Sequence, residues 1–313
     1  MGEFTIVTDF FDVGRGQDSN KALARTKEKY MEEFAYWARI QNKMIVYTDS
    51  ESAVEIKKIR EGYGLLEKTV VIEINDVFEL QADIFARMKK VSEIKSFRKF
   101  RWLENAFSNN PRYNYLWMMK YYFMSDALDR GLLGESVAWV DFGFDHGGTK
   151  FYDQEDFNFT WSYDVKDKIH LFCLSDPNEL CGIDTLQFLV DCVMGNMTIL
   201  PRDKVHTLWK LVKEAAEWLL TLDCVDDDQM LLLMVYKRYP ELFEIHITDW
   251  SLSMKICGGD HMKVREVEKQ NANSDRKKRI YKIKSWIRRT LWMKYDPKIE
   301  YLDRTMERIG KYY

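Results

Sequence analysis

The sequence predicts an α/β fold: a mixed, mostly parallel sheet flanked by helices, followed by a basic helical appendage at the C-terminus. Short apolar runs alternate with longer stretches of helical periodicity, which is typical of α/β sheets. Several of these runs end in acidic or glycine-rich turns. Of the 313 residues, 46% are hydrophobic and 14% aromatic, enough for a sizeable core.

In the first half, strands are predicted at Phe4 to Thr8, Met44 to Tyr47, Val70 to Ile74 and Val137 to Val140. Helices are predicted at Lys21 to Ile40, from Ser52 toward Arg60, through residues 78–107, and at Tyr113 to Leu128. Ser52 and Glu55 have the spacing of a capping box, and Asn109-Asn110-Pro111 ends the third helical stretch.

In the second half, strands are predicted at Lys168 to Leu174, Val193 to Leu200 and Phe243 to Ile247. Helices are predicted from Pro201 to Leu222 and from Gln229 to Tyr239, where Pro240 closes the second one.

Composition excludes several classes of protein. The five cysteines are scattered without a Cys-x-x-Cys pair, which argues against a disulfide framework and favours a reducing cytoplasm. The net charge of −3 gives no overall field for nucleic acid. No apolar run is long enough for a membrane span, and no signal peptide is predicted.

One acidic turn stands out. Asp141 follows the strand Val137 to Val140 and opens the glycine-rich segment that continues to Gly148. In open α/β sheets ligands bind at the carboxyl ends of strands, so Asp141 is expected to face a binding crevice. The alternative is an ordinary turn, since Asp and Gly favour turns in any case.

Four segments together resemble the HtrL/YibB-like family of bacterial proteins, found in lipopolysaccharide and capsule gene clusters. They are Thr5 to Arg15, Phe34 to Arg39 with Ile45 to Thr48, Trp139 to Gly143, and Asp227-Asp-Gln-Met230 with Tyr239 to Phe243. The resemblance covers roughly residues 4–250. It implies a GT-A-type, Rossmann-like glycosyltransferase domain, which we place at residues 1–262. The remaining residues, 263–313, carry no family signal and are predicted from their basic composition to form a helical tail.

The function implied by the resemblance is transfer of a hexose, galactose being the default, from a UDP-sugar to a lipid-linked or cell-surface glycan. Lipopolysaccharide, O-antigen or capsule biosynthesis would be the setting. The alternative is a non-catalytic accessory protein of envelope biogenesis that retains the nucleotide-sugar fold. Retention or inversion at the anomeric carbon stays open.

The resemblance also implies a nucleotide-sugar site. Thr8 and either Phe10 or Phe11 are expected at the base, Arg15 at a phosphate, and Asp49 at the base or ribose unless it caps a helix. Lys120 is expected to face the diphosphate, to pair with Asp141, or to extend to solvent. The expected binding residues are Thr8, Phe10, Asp12, Arg15, Asp49, Lys120, Asp141, Gly143, Gly195 and Asn196, although Gly195 and Asn196 also fit a plain bulge.

A metal is expected on the diphosphate. GT-A enzymes carry Asp-x-Asp, whereas this chain has Asp141-Phe-Gly143, so Asp145 and His261 are the expected further ligands beside Asp141. Oxygen ligands on a diphosphate favour Mn²⁺ or Mg²⁺. Without a metal, Lys120 and Arg15 would neutralise the leaving group.

Asp227 and Asp228 open a helix, where the resemblance implies a general base that takes the acceptor hydroxyl proton. The alternative is that these acids only complement the helix dipole.

The C-terminal tail is strongly basic. Residues 276–294 contain nine Lys or Arg and no acid, while Ile280, Ile283, Ile287 and Leu291 share one helical face. This pattern predicts an interfacial helix, residues 276–295, on an anionic membrane. The protein would then be cytoplasmic and peripheral on the inner face of the cytoplasmic membrane. The alternative is a helix packed on the protein's own acidic surface.

Overall fold

The computed structural model describes residues 2–14, 25–94, 110–144, 151–188 and 192–265, together with Ile283 and Ile287. The described residues up to Arg265 belong to one compact unit, Met1–Glu266, and the two isoleucines belong to a second unit, Val267–Tyr313. Ile283 and Ile287 are helical and exposed. The other residues of the predicted interfacial helix lie outside the described part of the chain.

The first unit is built on one mixed sheet, which confirms the predicted α/β class. Its order is β3-β2-β1-β4-β7-β6-β8, with β5 paired to β1. The strands are β1 Gly2–Phe10, β2 Met44–Thr48, β3 Thr69–Glu73, β4 Ser136–Val140, β5 Ser162–Tyr163, β6 Ile169–Cys173, β7 Val193–Pro201 and β8 Phe243–Ile247. β1 to β4 are mutually parallel, as are β6 and β8, whereas β7 runs antiparallel between β4 and β6.

Helices cover both faces of the sheet. They are α1 Lys27–Trp37, α2 Ser50–Gly62, α3 Ala82–Ser92, α4 Pro111–Asp129, α5 Gly182–Phe188, α6 Val205–Thr221, α7 Asp228–Arg238 and α8 Ser253–Ile256. The helix predicted through residues 78–107 ends at Ser92, and residues 95–109 lie outside the described ranges. The helix predicted from Pro201 begins with a 3-10 turn, Arg202–Lys204, whose N-cap is Pro201, and continues as α6 from Val205.

The predicted capping box at Ser52 and Glu55 is wrong. Helix α2 begins at Ser50, and its N-cap is Asp49, whose carboxylate accepts from the Ser52 backbone N–H at 2.8 Å and from the Ser52 hydroxyl at 3.1 Å. An aspartate directly after a strand satisfies the first free N–H groups of the helix, so the helix starts one turn earlier than predicted.

Two apolar cores lie on opposite faces of the sheet. Val7 and Trp139 face one core, which α3, α4, α6 and α7 cover; Ile6 and Phe10 face the other, which α1 covers. Because side chains alternate along a strand, Asp9 lies on the same face as Val7 and Thr8 on the same face as Ile6. This alternation decides which residues at the end of β1 reach α4.

Candidate functional site

A buried lysine marks the candidate site. The ammonium of Lys120, in the middle of α4, lies 2.8 Å from Asp141 Oδ1 and 2.8 Å from Asp228 Oδ2. It also donates to the Gly195 carbonyl at 2.9 Å. The side chain of Lys120 is only 4% exposed and that of Asp228 3%, whereas that of Asp141 is 31% exposed. Pairing with Asp141 was one of the predicted alternatives for Lys120, and extension to solvent is excluded.

Four separate elements bring these groups together. Asp141 follows β4 directly, and its backbone N–H donates to the Asn196 carbonyl of β7 at 3.0 Å. Asp228 is the first residue of α7, where the helix dipole favours a carboxylate. The side-chain oxygen Oδ1 of Asp141 also accepts from the Trp139 indole N–H at 2.8 Å. Both groups that donate to this oxygen, the Lys120 ammonium and the Trp139 indole, therefore belong to buried side chains.

Gly195 makes the close approach of Asp228 possible. A Cβ atom at position 195 would lie 2.2 Å from Asp228 Oδ2 and 2.6 Å from its Cγ, far inside van der Waals contact. A side chain here would therefore push Asp228 away from Lys120. The predicted role of Gly195, close approach of another group, applies in this structure to a carboxylate of the protein itself.

Asp9 completes the cluster. The parallel register pairs Val7 with Trp139, and continuing it by two residues places Asp9 beside Asp141 on the same face. The rings of Phe10 and Phe142, one residue further along, are 4.9 Å apart. Burial raises the pKa of Asp9 to about 8; Lys120 opposes the rise, and the neighbouring Asp141 and Asp228 carboxylates add to it.

The charged groups of the cluster shift one another's pKa values. Burial raises the pKa of Asp228, although Lys120 opposes the rise. Burial alone would lower the pKa of the Lys120 ammonium, but Asp141 and Asp228 outweigh that effect and the pKa is raised. Three carboxylates around one ammonium leave excess negative charge, so a proton stays on the cluster at neutral pH. Perturbed pKa values of this kind are concentrated at functional sites.

An open cavity of about 690 Å³ lies at the carboxyl ends of β1, β2 and β3. Asp12 and Asp49 line it, and both also line a second pocket of about 360 Å³ next to the start of α1 and α2. The rest of the lining of the larger cavity includes aromatic rings, two cations and a third carboxylate: Phe11, Phe78, Phe85, Lys89, Arg112 and Asp76. The Arg112 guanidinium lies 4.7 Å from the centre of the Phe78 ring.

The predicted residues on β1 and β2 divide between the two faces. Thr8 is fully buried on the α1 face, and its hydroxyl has no hydrogen-bond partner among the described residues. Phe10 is buried against Tyr30 and Phe142. Asp12 accepts from the Gly14 backbone N–H at 2.8 Å, and Asp49 caps α2 while it lines the cavity.

Gly143 and Asn196 support the turn after β4. A Cβ at position 143 would lie 2.7 Å from Glu33 Oε2, so the glycine leaves room for the ion pair of Glu33 with Arg25, 3.2 Å apart. The Asn196 amide donates to the Trp250 carbonyl at 3.1 Å, while its Oδ1 is buried without a partner.

The two acidic residues at the start of α7 have different surroundings. Asp227 is the N-cap and accepts from the Gln229 backbone N–H at 3.1 Å, as the helix-dipole alternative predicts. Asp228 points to Lys120 instead. Since only Asp228 joins the buried cluster, the structure separates two residues that the sequence left equivalent.

The predicted metal ligands do not assemble among the described residues. His261 is exposed, bonds to the Asp156 carbonyl at 2.8 Å and packs on Phe159. The Phe159 carbonyl accepts from Gln41, just before β2 begins, so His261 lies toward the opposite end of the sheet from Asp141. Arg15 and Asp145 lie outside the described residues.

Asp9 was missed from the sequence because the first strand was predicted to end at Thr8. A signal was present, however. Thr8-Asp9-Phe10 and Val140-Asp141-Phe142 repeat the same pattern at the ends of two apolar strands. If the two strands are taken as parallel neighbours, the repeat places both aspartates at one edge.

Among the residues that the structure describes, no helix is both long and apolar enough to cross a membrane.

Comparison with known proteins adds three findings. The model of a family described as bacterial proteins of unknown function, HtrL_YibB, matches residues 2–257. Protein HtrL of Escherichia coli (strain K12) is 30% identical over 263 residues, covering 77% of this chain and 87% of that protein. The structure of mouse xyloside xylosyltransferase 1 in its apo form matches with a TM-score of 0.41 at 12% identity, covering 78% of this chain and 84% of that one.

Proposed function

The chain belongs to the HtrL_YibB family of bacterial proteins, and we propose that it is a glycosyltransferase that uses a UDP-sugar. The observation that carries the proposal is the cluster of Asp9, Asp141 and Asp228 around buried Lys120. It lies at the carboxyl end of the parallel strands, where α/β folds bind their ligands. A partly exposed carboxyl group with a pKa of about 8 suits proton transfer near neutral pH.

The nucleotide is assigned to the cavity beyond β1 to β3. Its aromatic side chains Phe11 and Phe78 suit a flat base, and the carboxylates of Asp12 and Asp49 suit the ribose hydroxyls, which donate hydrogen bonds. Lys89 and Arg112 supply positive charge for the diphosphate. A cavity of about 690 Å³ falls within the usual range for small-molecule sites.

Asp141 is assigned to the donor. Its Oδ1 is held by Lys120 and Trp139, which leaves the other oxygen free to accept from a sugar hydroxyl or to ligate a metal. Lys120 is too deeply buried to reach a substrate. It acts as a positioning residue that fixes Asp141 against Asp228.

Asp9 is assigned as the proton acceptor for the attacking hydroxyl of the acceptor glycan. Asp228, the base favoured by the resemblance together with Asp227, is buried and paired with Lys120, so it would have to leave this pair to meet an acceptor. Asp9 is partly exposed and its pKa already lies near neutral. In the ionised form its carboxylate takes the proton as the acceptor oxygen attacks the anomeric carbon.

A divalent cation fits this donor set. The cluster offers carboxylate oxygens and carries more negative than positive charge, which suits Mn²⁺ or Mg²⁺ held by one carboxylate together with substrate phosphates. Asp141 would hold the ion. When bound, the ion would supply positive charge to the departing nucleoside diphosphate.

The acceptor is assigned to the lipid-linked or cell-surface glycans of lipopolysaccharide or capsule synthesis, and a hexose such as galactose is the expected donor sugar. The support is family membership and the basic, amphipathic sequence of residues 276–295. An anionic membrane surface bound through this tail would bring the domain to a lipid-linked acceptor.

The direct test is binding of UDP, with and without Mn²⁺, followed by hydrolysis and transfer from a panel of UDP-hexoses. We expect Asp141→Asn to lower turnover at least 100-fold while the fold, measured by circular dichroism, is kept. Asp184→Asn, at an exposed position of α5, is the matched control and should behave as wild type.

The outcomes separate the alternatives. Wild-type turnover in Asp141→Asn would remove Asp141 from the mechanism. UDP binding with no turnover on any donor would favour the non-catalytic accessory protein. Absence of UDP affinity under both metal conditions would contradict the nucleotide-sugar proposal itself.

A further inference from the structure

Two histidines and a glutamate meet on the other face of the sheet. His170 lies on β6, and Glu244 and His246 lie on the neighbouring edge strand β8. The parallel register pairs His170 with Glu244 and Phe172 with His246. Paired residues of parallel strands, and residues two apart on one strand, point to the same face, so all three side chains converge.

The potential ligand atoms are already close. His170 Nδ1 and His246 Nε2 are 2.8 Å apart in a hydrogen bond, and the imidazole rings lie edge to edge, nearly in one plane, with centroids 5.1 Å apart and an interplanar angle of 10°. His246 Nε2 lies 4.0 Å from Glu244 Oε1. One nitrogen of each imidazole and one carboxylate oxygen therefore all lie within 4.8 Å of one another. Ligands around one tetrahedral zinc ion stand about 3.3 Å apart. The two histidine nitrogens would therefore have to separate by about 0.5 Å, and the carboxylate oxygen would have to approach by up to about 1.5 Å.

The protonation of His170 is fixed by its other nitrogen. His170 Nε2 lies 2.9 Å from the Val165 carbonyl, which can only accept, so Nε2 carries a proton and Nδ1 has a free lone pair when the ring is neutral. Metal-bound histidines commonly donate their second N–H to a backbone carbonyl in this way. His170 is thus oriented as a ligand before any ion arrives.

His246 is suited to the same task. Its Nε2 atom faces both other candidate ligands, at 2.8 Å from His170 Nδ1 and 4.0 Å from Glu244 Oε1. In the absence of an ion, His246 Nε2 must donate to His170 Nδ1. Ligation by Nε2 requires this proton to move to Nδ1 of His246, a change of tautomer that leaves the ring neutral.

From this geometry we infer a divalent transition-metal site formed by His170, Glu244 and His246, with Zn²⁺ as the expected ion. Two imidazole nitrogens and one carboxylate oxygen are a ligand set typical of zinc, and three protein ligands leave a further position for water. His170 is buried while Glu244 and His246 are partly exposed, which leaves a path for the ion from the sheet edge.

The metal site lies apart from the cluster at Asp141. His170 pairs with Ile199, and Ile199 pairs with Ala138, three residues before Asp141 and two strands away. His170 shares the face of Ala138 and Ile199, whereas Asp141 shares the face of Trp139. The site therefore goes beyond the proposed transferase chemistry, and its test does not depend on activity.

The experiment is a Zn²⁺ titration of the full chain without an affinity tag, in competition with a chromogenic chelator. We expect one ion per chain, and an affinity at least 100-fold weaker in His246→Gln. Glu244→Gln keeps the size of a partly exposed side chain, so it tests the site even where His246→Gln does not fold. It should weaken binding at least tenfold.

His261→Gln is the matched control. His261 is exposed, and among the described residues its hydrogen bond is to a backbone carbonyl. This variant should bind Zn²⁺ as the wild type does. Co²⁺ in place of Zn²⁺ should give a spectrum without a sulfur charge-transfer band, which excludes binding at Cys173 and Cys192, two thiols that contact each other on the opposite face of the sheet.

Three results would overturn the inference. The first is a folded wild-type protein that takes up no Zn²⁺ at millimolar free metal, which would leave the histidines as a hydrogen-bonded pair. The second is equal affinity in the wild type, Glu244→Gln and His246→Gln. The third is loss of binding in His261→Gln or a thiolate band in the Co²⁺ spectrum, either of which would place the ion elsewhere.

Discussion

Replacement of Asp9 by Asn should make the protein more stable and less active. Burial raises the pKa of Asp9 from 3.8 to about 8 in the folded protein. Between these two values the unfolded chain releases this proton while the folded chain keeps it. Stability therefore falls as pH rises from about 4 to about 8, because the folded state binds more protons. Asparagine mimics the protonated carboxyl and carries no proton to lose.

The size of the effect follows from the shift. One pKa unit corresponds to about 1.4 kcal/mol, so a shift from 3.8 to about 8 corresponds to an upper limit of about 5–6 kcal/mol. Asp9 is partly exposed, and water weakens its interaction with the two other carboxylates. We therefore expect the gain of Asp9→Asn over the wild type at pH 8.5 to be on the order of 3 kcal/mol, diminishing toward zero near pH 4.

The assay is urea denaturation of the wild type and Asp9→Asn at pH 5, 7 and 8.5, with Asp184→Asn as control. The quantity of interest is the difference in unfolding free energy between variant and wild type, since other titrating groups cancel in it. Turnover by the wild type should increase with pH through an apparent pKa near 8, and turnover by Asp9→Asn should be lower and should lack this increase. A difference in stability that stays flat from pH 5 to 8.5 would refute the reasoning.

Two further predictions concern Gly195 and the tail. Gly195→Ala should lose about 1–3 kcal/mol of stability, together with turnover, because its Cβ would lie 2.2 Å from Asp228. Gly62→Ala is the matched control in urea denaturation, since a Cβ at position 62 would have nothing within 4 Å. Equal stability of both variants would contradict the packing argument. Deletion of residues 276–313 should abolish salt-sensitive sedimentation with anionic vesicles, since each basic residue near the surface contributes about 1 kcal/mol. A truncated protein that still pellets would contradict the membrane proposal.

Strands were predictable because their apolar runs are bounded by polar turns. Met44 and Val193, for example, begin strands in the structure as predicted. Helix starts were less predictable, as Asp49 illustrates: the residue type that caps a helix also fits a binding role. The antiparallel direction of β7 depends on the pairing of Val137 with Leu200, a long-range contact that local periodicity does not contain.

Individual residues of the site could be predicted from the sequence, but their spatial arrangement could not. Asp141 and Lys120 could be singled out, one because it follows an apolar strand and the other because it is a cation in an apolar helix. That Asp228 approaches Lys120 from 108 positions away depends on the space left by Gly195, which appears only after folding. The same holds for His170 and His246, which no sequence spacing joins.

The arrangement of Asp9 beside Asp141 is an argument for function in itself. Like charges directly opposite on adjacent strands destabilise a sheet, and Asp228 adds a third carboxylate at the same place. Burial is the main reason that the pKa of Asp9 is near 8; Lys120 opposes the rise, and the Asp141 and Asp228 carboxylates add to it. An apolar or amide side chain at position 9 would fold with less strain. Strain of this kind persists where a site needs it, which is why the change that stabilises the protein is expected to be the one that stops its chemistry.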